Sequence, residues 1–314
     1  MTSDEFTPDF TLAGAYPAIA SSEAALRSRD WAAFRAVYDA AADWDERDLI
    51  MGSCSGEDGL EEFLRERMTQ EPDDPIAPTM LGGHLVQVGW GIRTASRAKD
   101  VSREQWTAFY EHLHKAEALL AKVCAQRGDF VPAWSHRMTI SRGISLGLSE
   151  SRRRYDRLAR HAPHDVSAQS SMLQQLCPKW SGDFATMHQF AADCTAAAPP
   201  GSFNAVLVVE GHLEHWLAVT GDERTAYFKQ QAVRDEILAA GERSVLHPDF
   251  GQRVGWVRAF ATFALGYTML EDWTRAKRCF EALGRLGAAS DWWGYFGDPT
   301  AAFVKYRARA MEQG

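Results

Sequence analysis

The chain has 314 residues, enough for one extended repeat array or for two compact domains. Hydrophobic residues make up 46% and charged residues 24%, the balance of an ordered globular chain and not of a disordered one. The net charge of −8 is uneven: residues 1–80 hold 18 acidic and 6 basic side chains, a net of −12, against +4 for the remainder, which argues against general nucleic-acid binding.

No apolar run approaches the roughly 18 residues of a membrane-spanning helix, so no membrane partner is expected. The opening MTSDEFTPDF is acidic and does not read as a secretory signal. Five cysteines are scattered, odd in number and free of any CxxC pair. That usage suits reduced, buried thiols in a cytoplasmic protein.

Apolar residues recur at helical spacing along the chain, with no alternating strand pattern, so the predicted class is all-α. Residues 1–16 read as an irregular lead-in and residues 17–314 as a single helical-repeat domain. Helices are predicted over 18–28 and 31–41, joined at Arg29-Asp30-Trp31. Ser55 with Asp58 reads as a capping box for a helix over 57–69, stopped by Glu71-Pro72-Asp73-Asp74-Pro75. A helix over 76–97 carries Gly82, Gly83, Gly89 and Gly91, which implies close approach of a neighbouring element. Ser102 with Gln105 is a second capping box, opening a helix that reaches Arg127. Pro132 suits a first helical position for a helix to about Leu146, and its partner covers 150–161. Further helices are predicted over 166–176, 183–196, 203–219 and 223–241. The pair over 252–285 follows, and Asp298-Pro299 opens a final capping helix over 298–312.

Within the pair at 252–285, Ala264, Tyr267, Ala276, Phe280 and Leu283 follow a small–aromatic–Ala–aromatic–apolar spacing, with Asp272-Trp273 at the turn. Pro163 and Pro199 are 36 residues apart, near the period of about 34 residues of one helical-repeat type. On these positions the chain resembles a divergent tetratricopeptide-repeat protein. The segment Leu176-Cys177-Pro178-Lys179-Trp180-Ser181-Gly182-Asp183 also resembles the Pro-Lys-Trp turn of a bacterial helical-repeat family of unknown function. The resemblance implies a superhelical stack of antiparallel helix pairs, a TPR-like α-solenoid whose first helices line a concave face.

Candidate functional residues follow from charge, aromaticity and that placement. His84, Trp90 and Arg93 lie near Gly82-Gly83 and form one candidate anion site, with helix packing as the competing reading of the glycines. Trp134, Arg137, His212 and Arg258 fall on first helices of pairs, and so on the concave face that the resemblance implies. His212 and His215 are three apart and share a helix face. Burial with backbone partners is the favoured reading of these histidines, so neither a metal nor another cofactor is expected. Glu111 and His114 match Glu-x-x-His once, without a second copy. The basic helix at Arg152–Arg160 presents Arg153 and Arg157 outward, and the aromatic run Trp292–Phe296 seals the end of the stack. No GxSxG, GxGxxG or GxxxxGK[ST] motif occurs. The leading expectation is an adaptor that binds a protein, a peptide or a small anionic ligand. The alternative is an enzyme with a His- and Trp-lined inner pocket.

Overall fold

Aspartate at the head of a helix is the device this chain repeats. Asp30, Asp43, Asp183, Asp272 and Asp298 each accept a hydrogen bond from the backbone N–H three residues on, at 2.8–3.2 Å. Each thereby satisfies one of the donors that a helix start leaves without an intrahelical partner. Ser102 and Gln105 form the reciprocal capping box that the sequence predicts.

The computed structural model describes residues 6–57, 59–94, 98–180, 182–287 and 292–314. Among these the structure is helical, apart from one isolated bridge between Asp9 and Leu286. In chain order the helices are α1 (Leu12–Ala15), α2 (Pro17–Arg27), α3 (Trp31–Ala40), α4 (Trp44–Cys54), α5 (Leu60–Gln70), α6 (Ile76–Arg93), α7 (Arg103–Gln126), α8 (Val131–Gly143), α9 (Leu148–Ala159) and α10 (Val166–Leu176). There follow α11 (Phe184–Ala197), α12 (Val206–Ala218), α13 (Gly221–Ala226), α14 (Gln231–Arg243), α15 (Trp256–Met269), α16 (Trp273–Leu283) and α17 (Pro299–Gln313). Short 3-10 turns occupy Ala98–Asp100, Tyr227–Lys229 and Trp293–Phe296.

The described residues cluster in two compact units. The N-terminal unit holds 17–175 with 179–180, and the C-terminal unit holds 6–16, 176–178 and the described part of 182–314. The lead-in is therefore an integral part of the C-terminal unit. Asp9 exchanges backbone hydrogen bonds with Arg285 and Gly287 at 2.7 and 2.8 Å. Phe6 and Phe10 pack on Phe303, and the Tyr16 hydroxyl accepts from Gly255 N–H at 3.0 Å.

Three predicted elements differ. Helix α4 lies where the sequence reading places no helix, although Asp43 caps it by accepting from Glu46 N–H at 3.0 Å, and Glu46 accepts from Ala42 N–H at 2.8 Å. The helix expected over 223–241 is instead α13 and α14, separated by the Tyr227–Lys229 turn and an extended Gln230. Ser55 does not open α5. Its hydroxyl donates to the Met51 carbonyl at 2.7 Å at the end of α4, α5 starts from a left-handed Gly59, and Asp58 lies outside the described residues.

In the N-terminal unit α6 and α7 pack along their length, and the glycines show why. An added Cβ at Gly82 would come within 2.7 Å of Leu120 on α7, and one at Gly83 within 2.6 Å of His136 on α8. In the C-terminal unit α15 and α16 fold back on each other across a three-residue turn. Ala264, Tyr267, Ala276, Phe280 and Leu283 are all buried there. Trp293 closes the end of this pair against Phe280, Phe303 and Tyr306, while Tyr295 is exposed.

A candidate histidine cluster in the C-terminal unit

Helices α11 and α12 pack side by side, and each presents a stripe of rings to the other. On α11 the stripe is Phe184 and His188, four residues apart. On α12 it is His212 and His215, three apart. The His188 and His212 rings lie 4.7 Å apart between centroids, and His188 and His215 5.3 Å. His188 Nε2 is 3.0 Å from His215 Nδ1, so one of these nitrogens donates and the other accepts. Phe184 stacks flat on His215 at 3.8 Å and fixes its plane.

Two further elements complete the cluster. The 3-10 turn after α13 brings the Tyr227 hydroxyl 3.0 Å from His212 Nδ1, with the Tyr227 ring 4.8 Å from that of His215. Helix α14 brings Glu236 Oε2 3.0 Å from His212 Nε2. His212 and Tyr227 are buried, His188 and His215 are half-buried, and Glu236 is exposed. The cluster thus runs from a buried imidazole to a carboxylate at the surface.

The electrostatics follow from that gradient. Burial lowers His212 from 6.5 to about 4, and His215 adds to the effect. Burial also lowers His188 to about 4, helped by both neighbouring imidazoles and opposed by Glu236. His215 is lowered as well, again chiefly by burial. The exposed Glu236 carboxylate is screened by water, so its contact with His212 does not offset that desolvation. At neutral pH the imidazoles of His188, His212 and His215 are therefore uncharged. The Tyr227 phenol is raised by burial, then by Glu236, and stays protonated. One ring nitrogen each of His188 and His212 and one Glu236 oxygen lie within 4.8 Å of one another, a set of donors that could hold a metal ion.

The sequence candidates separate on this framework. His212 and His215 meet in one cluster, but with partners other than the expected backbone: Tyr227, Glu236 and His188 satisfy them. Arg258 pairs with Glu210 at 2.6 Å elsewhere in the C-terminal unit. In the N-terminal unit, His84 contacts the Ser55 carbonyl at 2.8 Å. Arg93 lies over Trp90 and Trp106 at 5.8 and 5.6 Å. Nine residues apart on α6, His84 and Arg93 point to opposite sides of the helix. Trp134 donates to the Gly128 carbonyl at 2.9 Å and lies under Arg137.

Arg137 is buried in an ion network and not presented on an open surface. Its guanidinium donates to Glu117 at 2.7 Å, and Arg154 donates to the same carboxylate oxygen at 2.7 Å and to the Arg137 carbonyl at 2.7 Å. Glu150 joins through Arg154 and the exposed Arg153, whose hydrogen bond heads the causes that hold Glu150 at about 2. Within the basic helix α9, Arg154 thus turns inward while Arg153 and Arg157 are exposed.

His188, Tyr227 and Glu236 were not singled out from the sequence. The four-residue spacing of Phe184 and His188 was the available signal for α11. Comparison with protein-family models, with curated proteins and with solved structures finds no match for this chain.

Proposed function

We propose that this chain is a TPR-like helical-repeat binding protein whose ligand site is the cluster of His188, His212, His215, Tyr227 and Glu236. The observation that carries this reading is convergence. Five polar side chains from α11, α12, the Tyr227 turn and α14 bring their hydrogen-bonding atoms together, from the buried His212 to the exposed Glu236. A helical core fills such a position with apolar side chains unless polarity serves a purpose, because each buried polar atom needs its own partner. The packing of Ala264, Tyr267, Ala276, Phe280 and Leu283 in α15 and α16 supports the repeat-like part of the reading.

A second reading, an enzyme acting through the same cluster, is favoured by one detail. His212 stands between a phenol and a carboxylate, an arrangement suited to moving a proton along a line.

The test is nuclear magnetic resonance of the imidazole nitrogens during titration with acidic peptides, small anions and divalent cations. The ligand should shift the His188, His212 and His215 rings, and its binding should be lost in His212→Ala and kept in Arg153→Ala/Arg157→Ala. A ligand lost with the exposed arginines and indifferent to His212 would overturn the assignment.

A further inference from the structure

We propose that the cluster is a metal site in which His188, His212 and Glu236 bind one divalent first-row transition ion, zinc being the probe of choice. This rests on the reading of the cluster as the ligand site and names its ligand class.

The argument begins with donor type. Two imidazole nitrogens and one carboxylate oxygen form a borderline donor set, suited to zinc and its first-row neighbours and not to calcium or magnesium, which take oxygen. Geometry comes next. Ligands about 2.0–2.2 Å from a tetrahedral ion stand roughly 3.4 Å from one another. His212 Nε2 and Glu236 Oε2 are already 3.0 Å apart, and all three donor atoms lie within 4.8 Å of one another. Closing the remaining gap requires side-chain rotation of His188 and of the exposed Glu236.

Access and support fit the same assignment. Glu236 is exposed and its carboxylate touches the buried His212, so the donor set reaches the solvent-facing surface. When His212 coordinates through Nε2, its proton resides on Nδ1, and that N–H donates to the Tyr227 hydroxyl 3.0 Å away. A metal-bound histidine characteristically has such a partner on its other nitrogen, which fixes tautomer and ring angle. His215 stands beside His188 at 3.0 Å and is itself held by Phe184. Three protein ligands leave the ion one position open for water or for a ligand group, the pattern of a reactive site and not of a closed structural one.

The charge pattern separates this from the anion expected elsewhere on the chain. The cluster contains no arginine or lysine, and its carboxylate would repel an anion approaching alone. A divalent cation neutralises that carboxylate and then offers a small anionic group an open coordination position.

The full chain, stripped with a chelator and returned to buffer, is titrated with zinc by calorimetry, and loaded in parallel with cobalt(II) for visible absorption. One zinc per chain is expected, with ligand-field bands from cobalt. Affinity should fall at least about 10–100-fold in Tyr227→Phe, which touches only the supporting shell. It should be lost in His188→Ala, in His212→Ala and in the exposed Glu236→Gln. Glu236→Gln carries the test if an alanine variant fails to fold by circular dichroism. Absence of saturable zinc binding, or one-to-one binding unchanged in Glu236→Gln, would overturn the assignment. Imidazole shifts with an organic ligand but not with zinc would sink the metal and leave the binding reading intact.

Discussion

Tyr267 stands in the core of the C-terminal unit with a hydroxyl that has no hydrogen-bond partner among the described residues. Burial raises its pKa far enough that it remains a neutral phenol. The hydroxyl lies against the backbone of Gly241 on α14, where an added methyl would overlap it. Gly241 is thus the space that the phenol oxygen occupies. Tyr267→Phe removes an unpaired polar atom and should leave stability unchanged or raise it by up to about 1 kcal/mol. Gly241→Ala should destabilise by about 1–3 kcal/mol through overpacking, even though alanine gains roughly 1 kcal/mol of helix propensity. The double variant should recover most of that loss, because the clashing atom is gone. Urea midpoints for the four proteins measure the coupling, and strict additivity of the two changes would show that the residues do not share this space.

Helices α15 and α16 are where sequence pattern and packing agree most closely. Ala276 is fully buried where the two cross, so Ala276→Leu should overpack and cost about 1–3 kcal/mol. Phe280 is fully buried against Trp293 and Phe303, and Phe280→Ala should cost about 3–5 kcal/mol. Unchanged urea midpoints for both variants would contradict the packing. The turn before α16 was also legible, because it repeats. Arg29 before α3 and Glu271 before α16 are both left-handed, and the next residue donates back five positions, Asp30 to Ala25 and Asp272 to Tyr267. Each aspartate then caps its helix. Helix α4 was harder to read, since Trp44–Cys54 mixes a charged first turn with Gly52 and shows no clean apolar stripe. The break between α13 and α14 was hidden for another reason. Tyr227 and Phe228 continue the helical apolar spacing, yet they lie in a 3-10 turn whose side chains meet His212 and Trp216.

At the scale of the whole chain, local pattern revealed which residues share a helix but not which helices meet. His212 and His215 were visible as a pair within α12. His188 and Glu236 are 24 residues away on either side of His212, and no local spacing links them. Acid sensitivity is a property of both units at once. His136 in the N-terminal unit and His212 in the C-terminal unit are each lowered from 6.5 to about 4 by burial, with His215 contributing to His212. The unfolded chain therefore binds more protons than the folded one between those values. The stability contributed by these neutral imidazoles is complete above about pH 6.5 and falls as the pH descends toward about 4. For the buried His212 the loss between about pH 7 and pH 5 is of the order of 2 kcal/mol. Asp48, raised by burial and by Asp165, and Asp74, raised chiefly by burial, oppose this trend. Glu150, held at about 2, yields its contribution only below the ordinary glutamate range. Urea unfolding of the chelator-treated chain should thus show a lower midpoint near pH 5 than near pH 7. His212→Gln and His136→Gln should each flatten the difference, since glutamine does not titrate. A midpoint that holds steady between the two pH values would mean that these imidazoles reach solvent and protonate without unfolding the chain.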